Sequence, residues 1–206
     1  MPKKEFPLDY LKNYLPAPAA EPVLELLNKY KVHLTITRER KSVLGDYRHA
    51  HQHETHRISV NGNLNHYSFL ITLVHELAHL VTFMQYGNKV AAHGREWKHL
   101  YKLLLMDFLK PTIFPEDILH ALRSSLHNLP ASSCSDEGLM RILRRYDKKE
   151  EGVLLVEEVP EGALFSLDTG AVFRKGKKLR KRIQCVEISS GRLYLFSPIY
   201  EVKMVS

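Results

Sequence analysis

Two histidines and a glutamate stand at His75-Glu76-Leu77-Ala78-His79, the pattern H-E-x-x-H, inside the stretch Phe69–Gly87 (FLITLVHELAHLVTFMQYG). On an α-helix, positions four apart share a face, so His75 and His79 present two imidazoles to one point. That suits two ligands of a tetrahedral zinc. Glu76 then lies beside the metal, placed to take a proton from a water that the metal activates. Chance matches to so short a pattern fall mostly on solvated faces. This one interrupts a helix that is apolar nearly all round, where unpaired His and Glu would be costly. The same stretch is short for a membrane span and carries His, Glu, His and Gln, so a transmembrane reading is poor.

A catalytic zinc needs three protein ligands and one open position. Downstream, His93, Glu96 and His99 are available. The metzincin spacing H-E-x-x-H-x-x-G-x-x-H fails, because Thr82 and Gln85 occupy its Gly and third His positions. His93 precedes Gly94, which suits a helix start whose side chain turns back towards the first helix. Glu96 lies one turn further on, and His99 nearly two turns from His93. Spacing favours His93 and leaves Glu96 open.

The elements that must hold these groups read as α+β. DYLKNYL and EPVLELLNKY are short helical patterns separated by Pro16-Ala17-Pro18. Val32–Thr37 alternates at period two and predicts a strand, with further strands around Ser42–Tyr47 and at Arg57–Asn61. Asn61-Gly62-Asn63 is a turn signal, Asn65 or Ser68 caps the metal helix, and Gly87-Asn88 ends it. Trp97, Leu100, Tyr101, Leu104, Leu105 and Phe108 recur at helical spacing in a second amphipathic helix. A third helix is predicted at Glu116–His127. His49, His51, His53 and His56 crowd the loop before the third strand; a solvated loop explains them better than a second metal site, since no closed ligand set accompanies them. His66 has the same standing.

Residues 1–128 thus read as one domain and 129–150 as a linker with a helical turn or two at Leu139–Tyr146. Residues 151–206 change to short β-branched runs between turns, a small antiparallel β module. Its densest basic run comprises Arg174, Lys175, Lys177, Lys178, Arg180, Lys181 and Arg182. The chain has 206 residues and a formal charge of +7, which permits a polyanionic partner without requiring one. No apolar run follows Met1–Glu5, so no signal peptide is expected, and no membrane association. Cys134 and Cys185 form no C-x-x-C pair, which makes a reducing cytoplasm the expected compartment.

His75–His79, a variable loop, and then His93-Gly94-Arg95-Glu96-Trp97 together resemble the SprT-like metalloprotease family, whose eukaryotic member Spartan is a DNA-dependent protease of DNA–protein crosslinks. The resemblance spans Val23–Leu109. It implies a zincin-like fold, one catalytic Zn2+ held by His75, His79 and His93, and Glu76 as general base, with Glu96 and His99 left to supporting or surface roles. Bacterial members end in a zinc ribbon. Here Phe165-Ser166-Leu167 and Phe196-Ser197-Pro198 stand where its cysteine pairs belong, so a ribbon without its metal is expected. The resulting expectation is a zinc metalloendopeptidase acting on a protein or peptide, on this resemblance one bound or crosslinked to DNA, with DNA recruited by the basic module. An extended substrate would pair with the sheet edge at Arg57–Asn61. The rival readings are a non-catalytic zinc-containing DNA- or transcription-associated factor, against which the intact Glu76 argues, and a zinc hydrolase of a non-peptide substrate.

Overall fold

The computed structural model of the protein describes residues 8–40, 43–50, 55–127, 136–148 and 151–205. The chain divides into two compact units, Met1–Asp147 and Lys148–Ser206.

The first unit is α+β. Two 3-10 turns (Leu8–Asn13 and Ala17–Ala19) lead into helix α1, Ala20–Lys29. Three strands follow: β1 (His33–Thr37), β2 (Gly45–Arg48) and β3 (Arg57–Asn61). Their order is β1-β3-β2, with β3 parallel to β1 and antiparallel to β2. Arg57–Asn61 is therefore the central strand, with both edges paired, and cannot receive a substrate strand as the sequence suggested. The edge strand packed against the metal helix is β2.

Helix α2, His66–Tyr86, is the core of this unit. Every residue from Ser68 to Thr82 except His79 is buried. A helix apolar on all sides has no solvated face to lose, and each fully buried Leu, Ile, Val or Phe contributes roughly 1.5–3 kcal/mol. By length and composition α2 could cross a membrane, but 78% of its most apolar window is buried inside the protein, as in a core helix. Asn65 is the N-cap: its Oδ1 accepts from the backbone N–H of Tyr67 (3.1 Å) and Ser68 (2.9 Å). Gly87, at φ 60°, ends the helix in the left-handed region that glycine adopts freely.

Helices α3 (Arg95–Met106), α4 (Glu116–His127) and α5 (Glu137–Arg144) complete the unit. The span read as a linker at 129–150 lies partly outside the described residues; its described part is chiefly α5, whose Leu139 and Leu143 join the core around α2. Asn65 Nδ2 donates to Leu143 O (3.0 Å) and Asp147 Oδ1 (2.6 Å). Tyr146 donates its hydroxyl hydrogen to Asp117 Oδ1 on α4 (2.7 Å). These bonds carry the compact unit on to Asp147.

The second unit is a six-stranded antiparallel sheet: β4 (Val153–Leu155), β5 (Leu164–Ser166), β6 (Val172–Lys178), β7 (Ile183–Glu187), β8 (Leu193–Phe196) and β9 (Glu201–Met204), in the order β4-β9-β5-β6-β7-β8. Phe165, Phe173, Ile183, Cys185, Phe196 and Val202 fill its small core with Val156 and Val159. At the positions where the family resemblance expects cysteine pairs, the Phe165 and Phe196 rings meet edge to face, 5.4 Å between centroids. Cys185 is a buried free thiol, and Cys134 lies outside the described residues. Strand β6 runs into the basic stretch as far as Lys178, with an irregular register around Gly176.

Candidate metal centre

The helical period brings His75 and His79 to one face of α2, and the tight turn before α3 brings His93 to meet them. That turn is closed by Gly94 N–H donating to Ala91 O (2.9 Å). The three Nε2 atoms lie 3.2 Å (His75–His79), 3.0 Å (His79–His93) and 3.3 Å (His75–His93) apart. Zinc bound to nitrogen at about 2.05 Å in a tetrahedral array needs those nitrogens about 3.3 Å apart, close to the triangle found. Among the described residues these three form the one group of potential ligands that converges in this way. Glu96 is not in it, although sequence spacing left Glu96 open. It stands on the first turn of α3, 3.9 Å from the Arg95 guanidinium. His99 and His66 are exposed on the surface.

Burial makes all three imidazoles poor bases. His75 is pushed down to about 3, by desolvation first and then by the neighbouring His79 and His93. His79 falls to about 4, by desolvation and then by His93, and His93 is lowered by desolvation and by Lys98. The cluster is therefore neutral at physiological pH, so each imidazole has one unprotonated nitrogen to offer. That is the state a cation requires of its ligands. The donor set fits zinc: borderline nitrogen ligands, three in number, in tetrahedral spacing.

Trp97 braces the cluster. Its ring lies 4.7 Å from that of His75, 5.2 Å from His79 and 4.8 Å from His93, centroid to centroid. Trp97 is fully buried and stacks on Tyr101 (5.0 Å, 14°). Buried His75 Nδ1 and Trp97 Nε1 have no hydrogen-bond partner among the described residues. Aromatic contact thus sets the ring orientations here.

Glu76 follows His75 on α2 and is 7% exposed. Its carboxyl is pushed up to about 8, chiefly by burial and further by the negative charge of Asp46, while Arg40 pulls it down. A carboxyl titrating near neutrality beside a cluster of potential metal ligands is a candidate for proton transfer. Arg40, Asp46 and Gly45 were not singled out from the sequence. They lie about thirty residues before the motif, and no periodicity connects them to it.

The histidine-rich loop divides. His51 and His53 lie outside the described residues. His56 Nδ1 accepts from Ala50 N–H (3.3 Å), which places the imidazole proton on Nε2, and Tyr47 Oη lies 2.8 Å from the same nitrogen. His49 stacks on Phe83 (4.6 Å, 22°). Neither of the two joins the converging group of potential ligands. In the second unit Arg174, Lys177, Lys178, Arg180, Lys181 and Arg182 are exposed, whereas Lys175 turns inward and its ammonium donates to Glu157 O (2.9 Å) and to Val159 O.

No curated protein and no solved structure matches the chain. The model of the SprT-like family matches residues 20–112, from the start of α1 to just beyond α3, a span that contains His75, Glu76, His79 and His93. This supports a metallopeptidase-like domain built around a histidine cluster able to bind a metal ion. On that match, with the fold that accompanies it, the metal-site segment belongs to the SprT-like family.

Proposed function

We propose that the chain is a zinc-dependent metalloendopeptidase. The observation that carries the reading is the triangle of His75, His79 and His93 Nε2 atoms at 3.0–3.3 Å, with a carboxyl of raised pKa next along the same helix. His75, His79 and His93 would hold the metal as neutral imidazoles. Bound there, zinc supplies Lewis acidity, polarising a substrate carbonyl and acidifying a water. Glu76 accepts the proton that the attacking water loses and returns it to the leaving amine nitrogen as the peptide C–N bond breaks. Trp97 and the buried face of α2 keep bulk water from the imidazoles, which strengthens charge interactions within the site. Among the described residues β2 is an edge strand, and it packs against α2, which supports it as the strand on which an extended peptide would align.

Glu76→Gln tests this reading. The variant is expected to bind metal as the parent does and to lose peptide hydrolysis. Equal activity in the two sinks the assignment. Metal binding with no hydrolysis by either protein, on free or DNA-bound substrates, favours a structural metal in a non-catalytic factor.

The substrate is proposed to be a protein bound or crosslinked to DNA. The support is six exposed cations on the β6–β7 hairpin, Arg174, Lys177, Lys178, Arg180, Lys181 and Arg182. Each phosphate contact adds about −0.7 to −0.9 to the slope of log affinity against log salt. Binding to single-stranded DNA that is absent even at low salt removes this part of the proposal and leaves the peptidase reading intact.

A further inference from the structure

On a helix, residue i+1 points about 100° away from residue i. Glu76 is thus turned away from the face shared by His75 and His79, and something outside α2 must set where its carboxyl stands. Hydrogen bonds do not: among the described residues nothing donates to the Glu76 carboxyl. Its lone pairs stay free for chemistry, and steric contact is left to place it.

That contact is with Gly45, the first residue of β2. A methyl group at Gly45 would lie 2.6 Å from Glu76 Oε1, 2.8 Å from Glu76 Cγ and 2.8 Å from Thr72 Cγ2. Thr72 and Glu76 are one turn apart on α2, so the strand backbone rests directly on that face of the helix. Only a residue without Cβ allows the approach.

Gly45 is in turn held from behind. It pairs with Val60 on β3. The next residue of β3, Asn61, is 1% exposed and gathers the segment leading into β2. Its backbone N–H donates to Leu44 O (2.9 Å), and its Nδ2 donates to Val43 O (3.0 Å) and Arg40 O (3.1 Å). Its Oδ1 accepts from Arg40 Nε (2.8 Å) and Thr37 Oγ1 (3.1 Å). All four hydrogen-bonding places of the carboxamide are filled, a buried network whose every member has a partner. Arg40 also donates from Nη1 to Ser59 Oγ (3.0 Å).

We propose that Gly45, seated by the Asn61 clamp, is the positioning residue for Glu76: its bare Cα leaves the space in which the carboxyl stands. The inference rests on Glu76 being the base. A Cβ added at Gly45 meets Glu76 at its Oε1 and at Cγ, so the whole carboxyl arm must shift, and it also crowds the Thr72 methyl, which adds a cost to the fold. Thr72 is stiffer, being β-branched.

The test compares the metal-loaded wild type, Gly45→Ala, Gly45→Ala/Thr72→Ser and Glu76→Gln. Gly45→Ala is expected to keep its metal equivalent and to lose some thermal stability, part of which Thr72→Ser restores. Its kcat should fall roughly 100-fold, as displacing a catalytic group by about 1 Å does, with KM within about threefold. Adding Thr72→Ser removes the methyl clash but not the carboxyl one, so kcat should stay low. A crystal structure of Gly45→Ala should find the Glu76 carboxyl displaced. A kcat within about threefold of wild type, restoration of kcat by Thr72→Ser, or an unmoved carboxyl overturns the inference. If Gly45→Ala alone does not fold, the double variant carries the same comparison. If wild type cleaves no peptide, the peptidase reading fails, and the position of the carboxyl still decides the role of Gly45.

Discussion

Metal binding should expel one proton, and that proton should come from Glu76. In the metal-free protein the Glu76 carboxyl titrates at about 8, because burial and Asp46 disfavour its charge. At pH 6 it is then about 0.99 protonated, and at pH 9 about 0.1. A cation held by the adjacent histidines reverses the balance, since a nearby positive charge favours the carboxylate. His75 and His79, pushed down to about 3 and about 4, have no protons to give at these pH values. Wild type should therefore release about one proton more than Glu76→Gln at pH 6, and about 0.1 more at pH 9. The apparent metal affinity of wild type, relative to the variant, should rise about tenfold per pH unit between pH 6 and 8, or about 1.4 kcal/mol per unit. Calorimetric titration with zinc in two buffers of different ionisation enthalpy counts the protons directly. Equal release by wild type and Glu76→Gln at pH 6 would refute the reasoning, because the proton would then come from a group that both proteins share, an imidazole or the metal-bound water.

The same values fix the acid behaviour of the metal-free fold. His75 and His79 are depressed in the folded state, so they contribute stability that is full above about pH 6.5 and is lost as pH falls towards 4. His75 alone gives up to about 1.4 kcal/mol per pH unit and the more exposed His79 less, read from urea unfolding with and without His75→Gln. His93→Ala should cost more than the roughly 10–100-fold in zinc affinity typical of losing an outer partner, while Glu96→Ala and His99→Ala leave affinity unchanged in a chelator competition. Asn65→Ala removes the α2 cap and both ties to the α5 end, about 2–3 kcal/mol in all, measurable as a fall of about 5–10 °C in the melting temperature of the first unit.

Much of the first unit is legible wherever one element carries its own period. The metal helix and the amphipathic helix behind Trp97 announce themselves at 3.6-residue spacing, and β1 and β3 by alternation. Helix α5 is harder to read because it is short, and its Leu139 and Leu143 have meaning only against a core built by residues far earlier in the chain. The extent of β6 is hard to read for another reason. Arg174, Lys177 and Lys178 face water, so a strand whose outer residues are charged resembles a solvated loop. The inward turn of Lys175 left no trace in the sequence, since its partners are backbone carbonyls, which carry no residue signature.

The site itself divides along the same line. His75 and His79 are related by one helical turn, and that relation is written in the spacing of a single segment. Glu76 belongs to the same segment by number but not by face, and a carboxyl with no hydrogen-bond donor among the described residues is held only by what packs against it. What packs against it is Gly45, a residue that acts through the side chain it lacks, and behind Gly45 stands Asn61, whose sequence neighbours Gly62 and Asn63 make it read as a turn. A glycine and a turn asparagine have many ordinary uses, so neither stands out until β2 is laid across α2. Two of the potential ligands of such a centre, His75 and His79, can be found by periodicity. The placement of the Glu76 carboxyl is a tertiary fact, and on the proposed peptidase reading changes at Gly45 or Asn61 should therefore impair hydrolysis while leaving the His75–His79 motif, and any recognition based on it, untouched.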